Sequence, residues 1–493
     1  MDYLAFLEKN ERTKLGILGV LAENAQRDVE VKQIIDQVSI TRYKFNQLID
    51  ELIQDLGSIQ QKDCQLTVKD NLVVCDGIDY SICQQLQLIY LKQSPRFQVF
   101  EFEYLNQQTQ SRQKFRLDHF MSQSKYYALR TQVENVLDNK AVTQARPIGG
   151  SLHPELVERA KISNIYYHFF NGIEDPFPEL ESQTSRFCNF LSMTFGISLT
   201  PSERLKLKMF VQIQIKRLAG RHFLNIRHMA TLERDTRLPF LKNYYLENVP
   251  HSGESDIDSE ICFLFLFLRS QRIMASVPVK FCQQLQQQYN SGSKHFERVL
   301  AETPVINQTK FTGEDQQKVA QHIAQLTVWL MMFDYFDFTE VIASDQSHMA
   351  MDFPALTILG KQLVDETIKV FDLQLCDECR AKLLKSYVKI LIADVPSSLA
   401  RDNVTICVDF VQSIVPMDYF AKLLVANLGA GIVLTNQLSS DVDVFLSDIY
   451  VASIHDIPQV TLLDPLKTSN WEKLRQTVAD VKQTKLEGFL AAS

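Results

Sequence analysis

The stretch VKQIIDQVSITRYKFNQLIDELIQDL, residues 31–56, decides the reading of the N-terminal part. Its apolar residues fall at Ile34, Ile35 and Val38, pause over Ser39-Ile40-Thr41, and resume at Phe45, Leu48, Ile49, Leu52, Ile53 and Leu56. Steps of three and four place the second series on one buried helical face. Ser39 or Thr41 is positioned to cap that helix, which leaves Thr41, Arg42, Tyr43, Lys44, Asn46 and Gln47 facing outward. A helix around Thr13 to Ala22 precedes the pair, and Cys64 to Val68 and Leu72 to Cys75 form two β-prone runs about the turn Lys69-Asp70-Asn71. The sequence therefore predicts a winged helix-turn-helix. Such a recognition helix offers its first side chains to the major groove while its neighbours hold phosphates. Arg42 and Lys44 suit guanine edges or phosphate oxygens, and Asn46 and Gln47 suit adenine edges or phosphate. Taken alone, the pattern fits a plain helical hairpin with a solvated polar face equally well.

A second occurrence breaks the tie. After a predicted helix from Tyr80 to Leu91, Leu117 to Met121 reads as a short helix and Ser122-Gln123-Ser124 as a polar turn. Leu129, Val133, Val136 and Leu137 then form another apolar stripe, with Lys125, Tyr126, Arg130 and Gln132 at its exposed start. The window 92–130 holds Lys92, Arg96, Arg112, Lys114, Arg116, Lys125 and Arg130 against Glu101, Glu103 and Asp118, a basic face on a chain whose formal net charge is -8. Arg116 joins the expected DNA contacts, and the expected partner is double-stranded DNA.

The remainder is ordinary globular sequence. At 493 residues, with 45% hydrophobic and 22% charged residues, the chain is too long for one domain and too apolar for disorder. Nine scattered Cys argue against a disulfide framework, and Cys376-x-x-Cys379 has no second ligand pair and lies in a helical pattern, so neither metal nor cofactor is expected. The longest uncharged apolar run, Ile261 to Leu268, is far short of the ~20 residues of a bilayer span. The expectation is a soluble, cytoplasmic protein without a membrane partner.

From about 155 to 395 the pattern is helical. Thr200-Pro201-Ser202-Glu203 is a capping box opening a helix through Leu218, and further helices run through Ile261 to Leu268, Lys318 to Met332 and Cys379 to Ile392. The aromatic runs Phe263 to Leu268 and Phe333 to Phe338 read as core. After Asp394-Val395-Pro396 the period changes. Val404 to Phe410, Gly431 to Thr435, Val442 to Leu446 and Gln459 to Leu463 are short β-type runs, with helices at Asp418 to Asn427 and Ser469 to Lys482. That alternation implies a small parallel-type sheet. The predicted fold is mainly α and multidomain: a winged helix-turn-helix (1–76), a second helix-turn-helix (77–155), two helical bundles (156–285 and 286–396) and a C-terminal α/β domain (397–493).

In this order of parts, over nearly the whole chain, the sequence resembles the Mga/AtxA family of Gram-positive virulence regulators. The second helix-turn-helix spans about Phe115 to Leu137, the bundles resemble phosphotransferase-system regulation domains, and the tail looks like enzyme IIB of sugar transport. The resemblance implies a DNA-binding transcriptional activator, dimeric or higher, tuned by the phosphocarrier HPr. It points to His222 and His228, within Arg221 to His228, and to His322 on the helix Lys318 to Met332 as phosphate acceptors. The plain alternative for each is a structural or solvent-facing histidine. A competing enzymatic reading makes the tail a working phosphoryl carrier through a Cys. Cys407, however, is flanked by apolar residues in Val404 to Phe410, and the following Val411 to Pro416 has no Gly to cradle phosphate. Gly429-Ala430-Gly431 follows a helix, not a strand, and makes a poor phosphate loop. The tail is expected to serve interaction, not catalysis.

Overall fold

The computed structural model describes residues 3–24, 28–59, 64–137, 154–224, 230–232, 235–250, 254–270, 279–281, 283–333, 346–375, 377–410, 422–424, 427–428, 431–462 and 471–492. The architecture is mainly helical, with a small parallel sheet in the C-terminal region. Two compact bodies are present. Residues 1–143, 147–283 and 332–342 form the N-terminal one, and 144–146, 284–331 and 343–493 the C-terminal one.

The N-terminal body opens with α1 (Lys9–Glu23), α2 (Val31–Val38) and α3 (Arg42–Leu56). Strands β2 (Gln65–Lys69) and β3 (Leu72–Asp76) follow, and the short β1 (Val29–Glu30) pairs with β3 to give the order β1-β3-β2, all antiparallel. The β2–β3 hairpin closes on two residues, Asp70 (φ 47°) and Asn71 (φ 67°). A two-residue turn whose twist matches its strands needs both positions left-handed, and Asp and Asn tolerate that conformation.

Next come α4 (Tyr80–Gln93), α5 (Pro95–Glu101), a π-helical turn (Phe102–Asn106), α6 (Arg112–Asp118) and α7 (Gln123–Leu137). The short helix before the second stripe thus begins at Arg112, not Leu117, and the connecting turn is His119 to Ser122. The reason is capping and burial: Ser111 Oγ accepts the Lys114 amide at 3.2 Å, and Phe115 faces the core while Leu117 and Phe120 stay exposed.

Helices α8 (Pro154–Phe170), α9 (Glu181–Phe195), α10 (Pro201–Ala219), α11 (Leu238–Asn248) and α12 (Glu254–Ser270) complete this body, with strands β4 (Ala230–Leu232) and β5 (Val279–Phe281). The Thr200 capping box forms as its residues require, Thr200 Oγ1 accepting the Glu203 amide and the Glu203 carboxylate accepting the Thr200 amide at 2.8 Å. One apolar core runs from Phe6, Leu21 and Phe45 through Phe97 and Phe100 to Tyr166, Phe169 and Ile213. It crosses the expected boundaries after residues 76 and 155: α8 packs on α4, and its Tyr166 and Phe170 meet Phe97 of α5. A smaller cluster of Val99, Phe102, Phe115, Met121, Tyr126 and Leu129 serves α6 and α7.

The C-terminal body contains α13 (Gln283–Glu302), α14 (Gly313–Phe333), α15 (Gln346–Asp352), α16 (Pro354–Phe371) and α17 (Asp377–Asp394). Tyr387 Oη on α17 lies 2.7 Å from Thr327 Oγ1 on α14 and 2.8 Å from Thr367 Oγ1 on α16, tying the three helices in the core. Gly360 lets α16 approach α17 closely, since a Cβ there would meet Leu384 and Val388 at 2.9 Å. The sheet is β6 (Val404–Asp409), β7 (Ile432–Thr435), β8 (Val444–Ser447) and β9 (Gln459–Thr461), all parallel in the order β7-β6-β8-β9, with α18 (Trp471–Ala492) against it. Most of the expected helix Asp418 to Asn427, the run after Phe333, Cys376 and His228 lie outside the described residues. No helix among the described residues is long and apolar enough to cross a membrane.

Candidate nucleic-acid interface

Thr41, not Ser39, caps α3: its hydroxyl accepts the Lys44 amide at 3.2 Å, while Ser39 takes the left-handed turn conformation (φ 55°). Arg42, Tyr43, Asn46 and Gln47 are exposed and Lys44 half-buried, with Tyr43 81% exposed. The Arg42 guanidinium donates to Asn71 Oδ1 at 2.8 Å, which ties the first turn of α3 to the tip of the hairpin. Behind the helix, Lys14 and the Tyr90 hydroxyl each reach Asp55 at 2.5 Å, which fixes the end of α3 against α1 and α4.

The second pair repeats the first at a constant offset of 81 residues. Helix α3 spans 42–56 and α7 spans 123–137, and α2 and α6 start at 31 and 112. The buried positions coincide: Ile34 with Phe115, Phe45 with Tyr126, Leu48 with Leu129, Leu52 with Val133 and Leu56 with Leu137. So does the turn. The Ile40 amide donates to the Ile35 carbonyl at 3.1 Å and the Met121 amide to Arg116 at 2.8 Å, and Ser122 Oγ accepts the Lys125 amide at 3.2 Å as Thr41 accepts Lys44. In the supporting helices, Leu18 and Leu21 match Val99 and Phe102.

This register corrects part of the expected contact set. Tyr126 is fully buried in the Phe45 position, and its hydroxyl donates to the Glu103 carboxylate; burial and that carboxylate push its phenol well up. Arg130 occupies the place of Ile49, half-buried at the stripe edge, and pairs with Glu134 at 2.9 Å. Gln132 is exposed but accepts from Arg96 Nε at 2.8 Å. The outward positions equivalent to Arg42, Tyr43, Lys44, Asn46 and Gln47 are Gln123, Ser124, Lys125, Tyr127 and Ala128. Gln123, Ser124 and Tyr127 were not singled out from the sequence; aligning Tyr126 on Phe45 is the signal that finds them.

Internal pairing also thins the basic window. Lys92 pairs with Glu174 and Arg112 with Glu103. Arg96 donates to the carbonyls of Ala5 and Leu7 at 2.9 and 2.6 Å, clamping the N-terminal segment. Among the described residues, Lys114, Arg116 and Lys125 have no carboxylate partner, so these three carry the positive face of the second pair.

The histidines are placed differently. The half-exposed His222 has its Nδ1 3.9 Å from the Glu155 carboxylate, and burial together with the Arg217 charge lowers its pKa against the pull of Glu155. Arg227 lies outside the described residues, and the cations whose charge acts on the ring are Arg217 and Arg159. Both are buried and occupied. Arg159 holds Glu155 at 2.7 Å, Glu260 through both terminal nitrogens and the His222 carbonyl at 2.5 Å. Arg217 holds Glu155 at 2.8 Å, Glu158 and the Tyr104 carbonyl at 2.6 Å. In the C-terminal body, the half-exposed His322 has Nδ1 2.7 Å from Asp394 Oδ2. His295, which the sequence reading passed over, has the same arrangement with Glu366 at 2.7 Å. Cys407 lies within β6 opposite Thr435 and Phe445, 2% exposed, and burial raises its thiol pKa. No protein-family model and no curated protein matches the chain.

Proposed function

We propose that this chain is a DNA-binding transcriptional regulator that engages one duplex through two helix-turn-helix units, the first winged by the β2–β3 hairpin. The observation that carries the reading is the 81-residue register, in which caps, left-handed turn, buried stripe and a lysine at the third helical position all recur. Two identical local solutions, each leaving the first turn of its second helix polar and solvent-facing, fit groove reading better than they fit a bundle. Arg42, Tyr43, Asn46 and Gln47 in the first unit and Gln123, Ser124 and Tyr127 in the second are the proposed base-facing residues. Lys44, Lys114, Arg116 and Lys125 are the proposed phosphate contacts.

The resemblance to Mga/AtxA regulators belongs to the same proposal, with the helical segments as phosphotransferase-type regulation domains and the chain acting as a cytoplasmic activator that self-associates. His222 and His322 are the proposed acceptors from HPr. His322 is favoured by its carboxylate-held Nδ1, which leaves Nε2 as the outward nitrogen. A phosphoryl-carrier role for the tail is not favoured, because Cys407 sits in mid-strand where a dianion would be costly to bury.

The test uses the whole chain, since cutting near residue 150 would strip Tyr166, Phe169 and Phe170 from the shared core. Titrating duplex DNA against salt should give a log–log slope of about -0.9 for each phosphate contact. Binding that is absent, or indifferent to salt, overturns the proposal.

A further inference from the structure

The turn of each helical pair needs one left-handed residue. In the first pair it is Ser39 (φ 55°), and at the equivalent place in the second it is Phe120 (φ 51°). A bulky side chain is disfavoured in that backbone region, and such outliers concentrate where function holds them. Phe120 gains nothing from burial in exchange: it is 96% exposed. Leu117, at the end of α6, is 68% exposed, and Tyr127, in the second turn of α7, 46%. Lys114 and Arg116 on α6 and Lys125 on α7 belong to the same pair of helices and lack carboxylate partners among the described residues.

Exposed apolar side chains at the turn, with unpaired cations on the two helices it joins, complement a partner that is polyanionic and locally apolar. The major groove at a thymine is such a partner, with a 5-methyl group between two phosphate backbones. A second copy of the chain is a poorer fit, because a two-fold contact would set Lys114, Arg116 and Lys125 against the same three cations. We propose that Phe120 is a specificity-determining residue that packs on a thymine methyl, giving the second unit a preference for A·T pairs at the position it faces. The inference rests on the DNA-binding reading above.

The test compares the full chain with Phe120→Ser, which installs the residue the first pair uses at this turn and so keeps the fold. Each protein selects duplexes from a random pool, and thymines in the winning sites are replaced one at a time by deoxyuridine, which removes only the methyl. For the natural chain, at least one replacement should weaken binding about fourfold, the effect of unburying one methyl, while Phe120→Ser should bind both duplexes alike and lose the A·T preference at that position. Equal deoxyuridine sensitivity in both proteins, or none in the natural chain, overturns the inference while leaving DNA binding intact. So does a Phe120→Ser change in particle mass by light scattering with unchanged site selection, which would make the patch a contact between copies. Failure of the natural chain to enrich any duplex overturns the DNA-binding reading itself, and this inference with it.

Discussion

Replacing Arg217 by Met should unsettle the second helical pair from a distance. Arg217 is buried on α10 and donates to Glu155, Glu158 and the carbonyl of Tyr104 in the π-helical turn. Next to Tyr104, Glu103 accepts from Tyr126 and Arg112 and so braces α7 and α6. Met has comparable bulk but no charge, so Glu155 keeps only Arg159 and Glu158 loses its cation. Breaking a buried ion pair by removing one partner costs about 3–5 kcal/mol. The N-terminal body spans about 290 residues, so at roughly 2.1 cal/mol/K of unfolding entropy per residue each kcal/mol is worth about 1.6 °C, and its melting should fall by about 5–8 °C. Calorimetry reads that loss, and hydrogen exchange should show amides of 102–106 and 123–137 losing more protection than those of 42–56. The double variant Glu155→Met with Arg217→Met should recover most of the stability, because Arg159 retains its two-pronged bond to Glu260. A drop smaller than about 1.6 °C for the single variant, under ~1 kcal/mol, would refute the claim that this network bears on the fold.

Three further outcomes follow from the geometry. Tyr126→Ala should cost about 3–5 kcal/mol, as Phe45→Ala should, because both fill the same core position; a surface role would leave thermal melting unchanged. Lys125→Ala should lower the salt slope of DNA binding by about 1 with no loss of stability, whereas Arg130→Ala, whose side chain is spent on Glu134, should leave the slope as it was. His168 is held neutral by burial, its pKa lowered to about 4, and its ring Nε2 lies 2.8 Å from the Gln87 amide nitrogen. The unfolded chain therefore takes up this proton first as the pH falls. Its contribution is complete above the unfolded value of 6.5 and is lost toward pH 4, about 3 kcal/mol in all. A His168→Leu variant should lose less stability than the natural chain between those two pH values.

The parts readable from sequence are those set by local chemistry. The Thr41 cap, the stripe from Phe45 to Leu56, the Asp70-Asn71 turn and the Thr200 capping box depend on residues within a few positions of one another. The second pair was legible as a pattern but not in register, because Leu117 to Met121 reads as the short helix although that helix runs from Arg112 to Asp118 and Leu117 and Phe120 face solvent. Tyr126 carries both a ring and a hydroxyl and suits either side of a helix. Charge pairing across the chain was not legible. Arg96 is drawn to carbonyls about ninety positions away, and Arg159 finds Glu260 on a helix 101 residues further on. The basic window counted from the sequence therefore shrank to three cations once folding had assigned partners to the others. The continuous core under both pairs was hidden for the same reason, since Tyr166 and Phe169 meet Phe97 and Phe6 only in three dimensions.

Hydroxyl-radical footprinting of the full chain on a selected duplex tests the central claim most directly, run beside Lys44→Ala and Lys125→Ala. Two protected stretches are expected from the natural chain, one fading with each lysine variant while the other persists. A single stretch insensitive to Lys125→Ala, or no protection at all, would contradict the account of two equivalent DNA-reading units.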